Sequence, residues 1–210
     1  MNILLLGPQG SGKGTQARKL CEKYNLFYFE AGGFLRELAK KNESLQKTLS
    51  QGNLVPDAEM ASYVASYLDE KGLYDGIIFD GFPRTSVQWV VFKSWLKQKN
   101  VSLNLVLVLT IGEDETVRRL SARRMDPKTD RIYNLVTDPP PAGVDAATLI
   151  QRQDDKPDAI KKRISWYKSE VLPLINELKK DIEVVEIDGQ RPIEVIFSNL
   201  TKIVDEKWKK

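Results

Sequence analysis

Gly7-Pro8-Gln9-Gly10-Ser11-Gly12-Lys13-Gly14-Thr15 is the run of residues on which the architecture of this chain turns. It follows a short apolar segment, Ile3 to Leu6, and leads into a helical spacing of Ala17, Leu20, Cys21 and Tyr24. A strand, a glycine-rich loop and a helix in that order make a phosphate cradle. The glycines let backbone N–H groups turn inward toward a polyphosphate. The helix N-terminus adds partial positive charge, and Lys13 adds a full one. The pattern Gly-x-x-x-x-Gly-Lys-[Ser/Thr] holds from Gly7 to Lys13 and lapses at its last position. There Gly14 replaces a magnesium-ligating hydroxyl, and Thr15 follows one residue later. Gly10, Ser11, Gly12, Lys13, Gly14 and Thr15 are thus the first candidates for triphosphate contact. A glycine-rich turn with a surface lysine is the plain alternative, and the flanking strand and helix argue against it.

Beyond the first helix, Leu26 to Phe29 reads as a second buried strand, and Glu30 to Arg36 as a turn entering a helix with Leu35 and Leu38. Asn42 to Leu54 is polar and weakly cored; Ser44 is the expected cap of a short helix there and Gly52 its end. Pro56-Asp57 opens a helix with Met60, Val64, Tyr67 and Leu68 on one face and Gly72 past its end. Ile77 to Asp80 is a third strand ending in a carboxylate. Gly81-Phe82-Pro83-Arg84-Thr85 then enters an aromatic-rich helix carrying Val87, Val91, Trp95 and Leu96, whose tryptophans are expected in the core. Leu105 to Leu109 is the fourth strand. Glu113-Asp114 is expected to cap a helix with Val117 and Leu120 that runs into Arg118-Arg119 and Arg123-Arg124.

From Ala122 to about Asp155 the periodicity vanishes among Pro127, Pro139, Pro140, Pro141 and Gly143, which marks a separate functional excursion. Asp155-Lys156-Pro157 caps a long helix through Ile160, Ile164, Tyr167 and Val171, which Pro173 should kink or split. Glu183 to Ile187 is the fifth strand, Asp188-Gly189 turns, and Pro192 begins a helix with Ile193, Ile196, Leu200 and Ile203. Strands alternating with helices give an α/β fold, a five-stranded parallel sheet with helices on both faces plus two mobile insertions. Ligands of such sheets sit at the carboxyl ends of the strands, where the phosphate loop, Asp80, Arg84 and Gly189 all fall.

The 210 residues are 41% hydrophobic and 29% charged, ordinary for a soluble domain with insertions or two closely joined units. Lys and Arg number 32 against 29 acidic residues, and a net charge of +3 is too small to argue for nucleic acid or membrane. Arginines converging on one cleft would still make a strong local field. The single cysteine, Cys21, cannot form an internal disulfide and reads as a core residue in a reducing compartment. The Met1 start runs directly into a strand, with no signal sequence or membrane-length apolar run, so a cytoplasmic location is expected. There is no histidine, which excludes an imidazole base or ligand. Phosphoryl transfer survives that exclusion, because it rests on positioning and charge stabilisation.

The ordered motifs resemble those of adenylate kinases and of nucleoside monophosphate kinases more broadly. They are Gly7 to Thr15 with Gln16, Asp80 to Thr85 with Gln88, Arg119 with Arg123, Arg152-Gln153-Asp154-Asp155, Lys162-Arg163 and Asp188-Gly189. They span nearly the whole chain and are specific together, whereas the loop alone says only nucleotide binding. The resemblance implies a fold like that of P-loop nucleoside triphosphate hydrolases. It implies reversible transfer of the terminal phosphoryl of magnesium-bound ATP to AMP, giving two ADP, in a monomer. It further implies a core of 1–29, 57–121 and 156–210, an NMP-binding segment at 30–56 and a lid at 122–155. Lys13, Arg84, Arg123, Arg152 and Arg163 would converge on the phosphates with no protein general base, since arginine grips phosphate with a planar, permanently charged fork. Any one of these arginines alone would ordinarily be a solvated surface charge; their joint placement in the motifs reverses that.

By the same resemblance Arg119 lies against the adenine of ATP and Arg123 on its phosphates, with Ile132, Tyr133, Gln190 and Arg191 also on the ATP side. Arg36 and Arg84 hold the monophosphate, while Arg152 and Arg163 serve the transferred group. Ala31, Asn53, Leu54, Val55, Gly81, Phe82, Pro83 and Gln88 complete the AMP side. Asp80 resembles the acidic residue that holds magnesium through water. Asp154 and Asp155 resemble a hinge-side acidic pair, and Asp155 reads equally as a helix N-cap. Many relatives hold zinc in the lid with four cysteines. This chain has none there, so a tetrathiolate site is impossible. Asp126, Thr129, Asp145 and Thr148 stand at those positions and are expected to hydrogen-bond in place of the ion, and the second lid arm is expected to be trimmed.

The acceptor side departs from the pattern. Ala31-Gly32-Gly33 replaces Thr-Gly-Asp, and alanine at position 31 is seen in uridylate/cytidylate kinases. Gln88, by contrast, offers the amide with which adenylate kinases read adenine, able to donate and accept at once. The long lid also favours AMP. A UMP/CMP or broad-specificity kinase is the alternative, with a non-catalytic nucleotide-binding regulator and a simple ATPase further off.

Overall fold

β1 (Ile3–Leu6) is apolar at every position because both of its faces are covered. Leu4 and Leu6 enter one core and Ile3 and Leu5 the other, as the twofold alternation of a strand requires. The computed structural model describes residues 1–50, 55–129 and 131–208, positions 49 and 50 by backbone alone. After β1 come α1 (Lys13–Tyr24), β2 (Phe27–Glu30), α2 (Ala31–Ala39), α3 (Glu43–Ser50), α4 (Asp57–Lys71), β3 (Ile77–Asp80) and α5 (Ser86–Gln98). They are followed by β4 (Leu105–Thr110), α6 (Glu113–Ser121), β5 (Arg123–Met125), β6 (Ile132–Asn134), α7 (Pro157–Trp166), α8 (Leu172–Leu178), β7 (Val184–Asp188) and α9 (Ile193–Trp208).

The five-stranded sheet has the order β2-β3-β1-β4-β7, and every neighbouring pair is parallel. On one face α4, α5 and α8 bury Val64, Leu68, Phe92 and Leu174 against Leu4, Phe79 and Val106. On the other, α1 and α9 bury Leu20, Ile196 and Leu200 against Ile3, Leu5 and Leu107. This is the expected α/β architecture. β5 and β6 form a separate antiparallel hairpin inserted between α6 and α7. The strand order reverses beside β1, so the loop after it opens at the sheet's switch point, where ligands bind.

Local details differ from the sequence reading. Glu30 ends β2 and α2 begins at once at Ala31, with no intervening turn. The cap of α3 is Asn42, whose Oδ1 accepts from the Leu45 N–H at 3.0 Å, rather than Ser44. Asparagine is a strong N-cap, and it lies just before the first helical turn. Gly52, the expected end of that helix, lies outside the described residues. Gly112, not an acidic side chain, precedes α6, and Glu113 and Asp114 lie in the first turn, where they favour the helix dipole. Trp89 and Trp95 are buried as expected, but Val87 and Val117 face solvent, because the buried stripes of their helices run through Gln88, Phe92 and Leu120 instead. Cys21 is only half-buried at the edge of a core. The long helix changes to a π-helical turn over Tyr167–Val171 and resumes as α8, so the break falls just before Pro173. Proline has no N–H to give the carbonyl four residues back and its ring crowds it; widening that turn relieves both.

Candidate active site

The phosphate loop is shaped by close backbone approach. Gly7 has φ +142, and a Cβ there would stand 2.3 Å from the Leu109 carbonyl oxygen, so only glycine fits. The Lys13 ammonium donates to the carbonyl oxygens of Gly7 at 2.8 Å and Pro8 at 2.9 Å. Its pKa is lowered to about 8, chiefly by withdrawal from water and also by Arg84, Arg163 and Arg123, against the opposing pull of Asp80. Ser11 is buried and among the described residues its Oγ has no hydrogen-bond partner, which leaves it able to donate to a ligand oxygen. Gln16 donates from Nε2 to the Ile193 carbonyl at 2.9 Å and ties α1 to α9. Gly10 packs against Arg119, and Gly14 against Tyr28 and Asp80.

Asp80, at the end of β3, is buried and accepts a hydrogen bond from the Tyr28 hydroxyl at 2.9 Å. Arg18 lies over the Tyr28 ring, 5.3 Å from its centroid. Gly81 has φ +76, and a Cβ there would meet the Arg84 guanidinium at 2.2 Å, so the arginine folds across it. Gly7, Gln9, Lys13, Gly81, Arg84 and Tyr167 border one cleft, which brings the phosphate loop and the Gly81–Arg84 turn face to face. Phe82 is fully buried against Phe29 and Phe92, so any ligand contact from it must come from its backbone. The Phe82–Pro83 peptide is cis. Thr85 caps α5 through Oγ1, accepting from the Gln88 N–H at 3.1 Å. Gln88 is buried; its Oε1 accepts from the Arg84 N–H at 2.7 Å and its Nε2 donates to Asp57 Oδ1 at 2.8 Å.

A second charged cluster faces this turn. The Asp155 carboxylate is wholly inaccessible and takes Arg123 in a two-pronged pair, at 2.8 and 2.6 Å, with Arg163 at 3.4 Å. Asp154 pairs with Arg163 at 2.6 Å and Arg152 at 3.2 Å. The residue preceding α7 is Lys156 with no side-chain cap, so Asp155 serves the arginines and not the helix end. The Arg163 pKa is lowered to about 10, chiefly by burial and also by Arg123 and Arg152, against the opposing pull of Asp154 and Asp155. Lys13, Arg84, Arg123, Arg152 and Arg163 therefore share one electrostatic neighbourhood.

Arg119 is buried, donating to Glu115 at 2.5 Å and to the Gly10 carbonyl at 3.3 Å. Beyond β7, Gln190 Oε1 accepts from the Gly112 N–H at 3.4 Å, and Arg191 pairs with Asp188 at 3.0 Å. Arg119 also acts on Asp188, whose pKa is lowered mainly by the Gln190 N–H and Arg191. Ile132 is half-buried on β6, and Tyr133 beside it is buried, with Arg131 over its ring. Arg36 is exposed on α2, 3.4 Å from Glu30. Ala31 is buried and Val55 half-buried, while Asn53 and Leu54 lie outside the described residues.

In the inserted segment Thr129 donates to Asp126 at 2.7 Å. Asp145 accepts from the Ala147 N–H at 2.9 Å, and Thr148 donates to the Asp145 carbonyl at 2.8 Å. Among the described residues no hydrogen bond joins the Asp126–Thr129 pair to the Asp145–Thr148 pair, so the four do not form one network. Each aspartate is satisfied within its own turn, and the arms meet through backbone instead. Met125 and Ile150 exchange N–H···O bonds of 2.8 and 2.9 Å. Among the described residues no group of His, Cys, Asp and Glu gathers to hold a metal.

Three side chains were not singled out from sequence. Glu30 folds back so that its carboxylate lies 2.7 Å from where a Cβ of Gly32 or Gly33 would be, which returns a carboxylate to the glycine-rich start of α2. Tyr28 steadies Asp80, and Asp57 grips Gln88. The partners are 52 and 31 residues apart, and only the sheet register and the packing of α4 on α5 bring them together.

The family model described as adenylate kinase matches residues 5–183. The chain is 36% identical over 214 residues to an adenylate kinase of Methanothrix thermoacetophila, with 98% of this chain and 99% of the relative covered. It is 35% identical over 209 residues to one of Salinibacter ruber, covering 98% of each. It is 34% identical over 213 residues to one of Pyrococcus abyssi, covering 98% of this chain and 96% of that one. Matches of that length embrace both the phosphate loop and the arginine cluster, and the chain belongs to the adenylate kinase family of phosphotransferases.

Proposed function

We propose that the chain transfers the terminal phosphoryl of magnesium-bound ATP to AMP, reversibly, to give two ADP. The observation that carries this is the cleft in which Lys13 and Arg84 face one another while Arg123 and Arg163 bear on the same ammonium. Two anionic nucleotides repel, and fixed cations in a site shielded from water offset that repulsion where charge develops. The loop from Gly10 to Thr15 cradles the ATP phosphates, and Lys13 keeps one ammonium hydrogen beyond its two carbonyl bonds to give to them. Arg123, Arg152 and Arg163 embrace the group in transit, already oriented by Asp154 and Asp155. Arg119, Ile132, Tyr133, Gln190 and Arg191 frame the adenine of ATP. Arg36, Arg84, Gln88 and the backbone of Gly81, Phe82 and Pro83 hold AMP, with Ala31, Asn53, Leu54 and Val55 around it.

Asp80 suits a magnesium ion that keeps its waters. One carboxylate oxygen is fixed by Tyr28, and among the described residues the other has no hydrogen-bond partner. A hydrated ion accepts such an indirect carboxylate. When bound, it would neutralise charge on the ATP phosphates. The division into a core of 1–29, 57–121 and 156–210, an acceptor segment at 30–56 and a lid at 122–155 fits the insertion of β5 and β6 outside the sheet. We take the lid to be zinc-free and joined by the Met125–Ile150 backbone pair. Closure of both insertions would exclude water and protect the phosphoryl group from hydrolysis. Among the described residues no helix is long and apolar enough to cross a membrane. A monomer in the cytoplasm fits the lone, half-buried Cys21.

The second reading, a UMP/CMP kinase, draws on Ala31, which offers no hydroxyl at the mouth of the acceptor segment. Initial rates with ATP and each of AMP, CMP, UMP and GMP decide between them. AMP should be the best acceptor, and a panel led by UMP or CMP would overturn the assignment.

A further inference from the structure

Gln88 is gripped from two sides by groups that cannot exchange roles. The Arg84 N–H can only donate, and it meets Oε1 at 2.7 Å. The Asp57 carboxylate, when ionised, can only accept, and it meets Nε2 at 2.8 Å. An amide turned by 180° would set its oxygen against the carboxylate and its NH2 against an N–H. Both contacts would then be repulsive inside a site where Gln88 is 8% exposed. The two partners thus permit a single amide orientation, and each amide atom retains capacity for one more bond.

Resting on the AMP reading above, we propose that Asp57 is a positioning residue that fixes the polarity of the Gln88 amide and thereby the class of acceptor base. A base seated in one orientation presents its exocyclic group and neighbouring ring nitrogen at fixed points. Adenine and cytosine present a donor at the first and an acceptor at the second. Uracil and guanine present the reverse. A glutamine free to flip would serve either pattern, whereas one locked by Asp57 and Arg84 serves the first and leaves mismatched polar groups against the second. Specificity then comes as much from penalising the wrong base as from binding the right one. Asp57 need not touch the nucleotide for this.

The test compares the unaltered chain with Asp57→Ala and Asp57→Ser, using AMP and UMP as acceptors at saturating ATP. Serine is tolerated in the first turn of a helix and its hydroxyl can donate or accept, so it keeps α4 while removing the half of the lock that Asp57 supplies and leaving the Arg84 N–H as the other half. In both variants the ratio of kcat/KM for AMP to that for UMP should fall about tenfold. The change should lie chiefly in the acceptor KM, with KM for ATP held. Loss of the carboxylate as a merely structural group would lower AMP and UMP turnover together, and an unchanged ratio in a folded variant overturns the proposal. Should Asp57→Ala fail to fold, Asp57→Ser decides alone. If the unaltered chain does not use AMP, the functional reading itself fails and takes the proposal with it, a result distinct from an unchanged ratio.

Discussion

Lys13 carries the sharpest consequence of local chemistry. Its ammonium is held by two carbonyls, and its withdrawal from water brings its pKa down to about 8. The charged form dominates below that value, and a phosphate anion favours the charged form. Affinity for ATP should therefore be level on the acid side and decline as the pH rises past about 8, with a proton taken up on binding there. Calorimetry in buffers of different ionisation enthalpy reads both effects; affinity unchanged across that range would refute the assignment. Lys13→Met should reduce kcat/KM for ATP roughly a hundredfold or more, with the fold intact by circular dichroism. Lys13 was legible because everything that places it, from Gly7 to Thr15, is contiguous in the chain. Glu30 was not. That it bends over Gly32 and Gly33 follows from the abrupt passage of β2 into α2, and no local propensity encodes where a flexible carboxylate comes to rest. Asp57 and Tyr28 were hidden for a related reason, since each meets its partner only through tertiary packing.

The strands were the most readable elements. Segments such as Leu105 to Leu109 are apolar throughout because a two-sided parallel sheet demands it, and no other short element does. Helix ends were less so. Asn42, Ser44 and Glu43 stand within one turn, and which of them caps depends on where the backbone first turns helical. The junction of the 122–155 insertion with α7 was partly readable, since the acidic pair was visible but its division of labour was not. Asp155 lies inside, joining β5 to α7 through Arg123 and Arg163. Asp155→Ala should cost about 3 kcal/mol of stability, because it leaves the half-buried guanidinium groups of Arg123 and Arg163 crowding one another with only Asp154 as counter-charge. Urea denaturation measures this. Adding ATP should recover more stability in the variant than in the parent chain, since the triphosphate supplies the missing negative charge. A loss of under about 1 kcal/mol would mean that the pair is no more than a surface bridge.

The whole molecule sets a two-sided sheet beside the 122–155 insertion, which shares little of its core, and the 30–56 segment, which among the described residues joins that core only through Ala31, Phe34, Leu35 and Val55. The cores that hold β1 and β4 draw on five strands and on helices from both ends of the chain. The β5–β6 hairpin draws on short three-residue strands, the Met125–Ile150 backbone pair and the ion pairs at its base. Elements with few buried apolar contacts open at low free energy, while core strands open only with global unfolding. A dinucleotide polyphosphate that spans both nucleotide sites would engage the cations on the lid and on the core at once, and it would bind the closed arrangement far better than the open one. Hydrogen exchange should then slow most across 122–155 and 30–56 on adding this compound, while β1 and β4, which open only with global unfolding, slow by no more than the overall gain in stability that the ligand confers. ATP alone should protect the lid and leave the acceptor segment exchanging, because Arg36 and Gln88 would still lack their ligand. Protection spread evenly over the sheet and both insertions would point to general stabilisation in place of closure. Protection confined to Gly7 to Thr15 would mean that the insertions do not move onto the ligand at all.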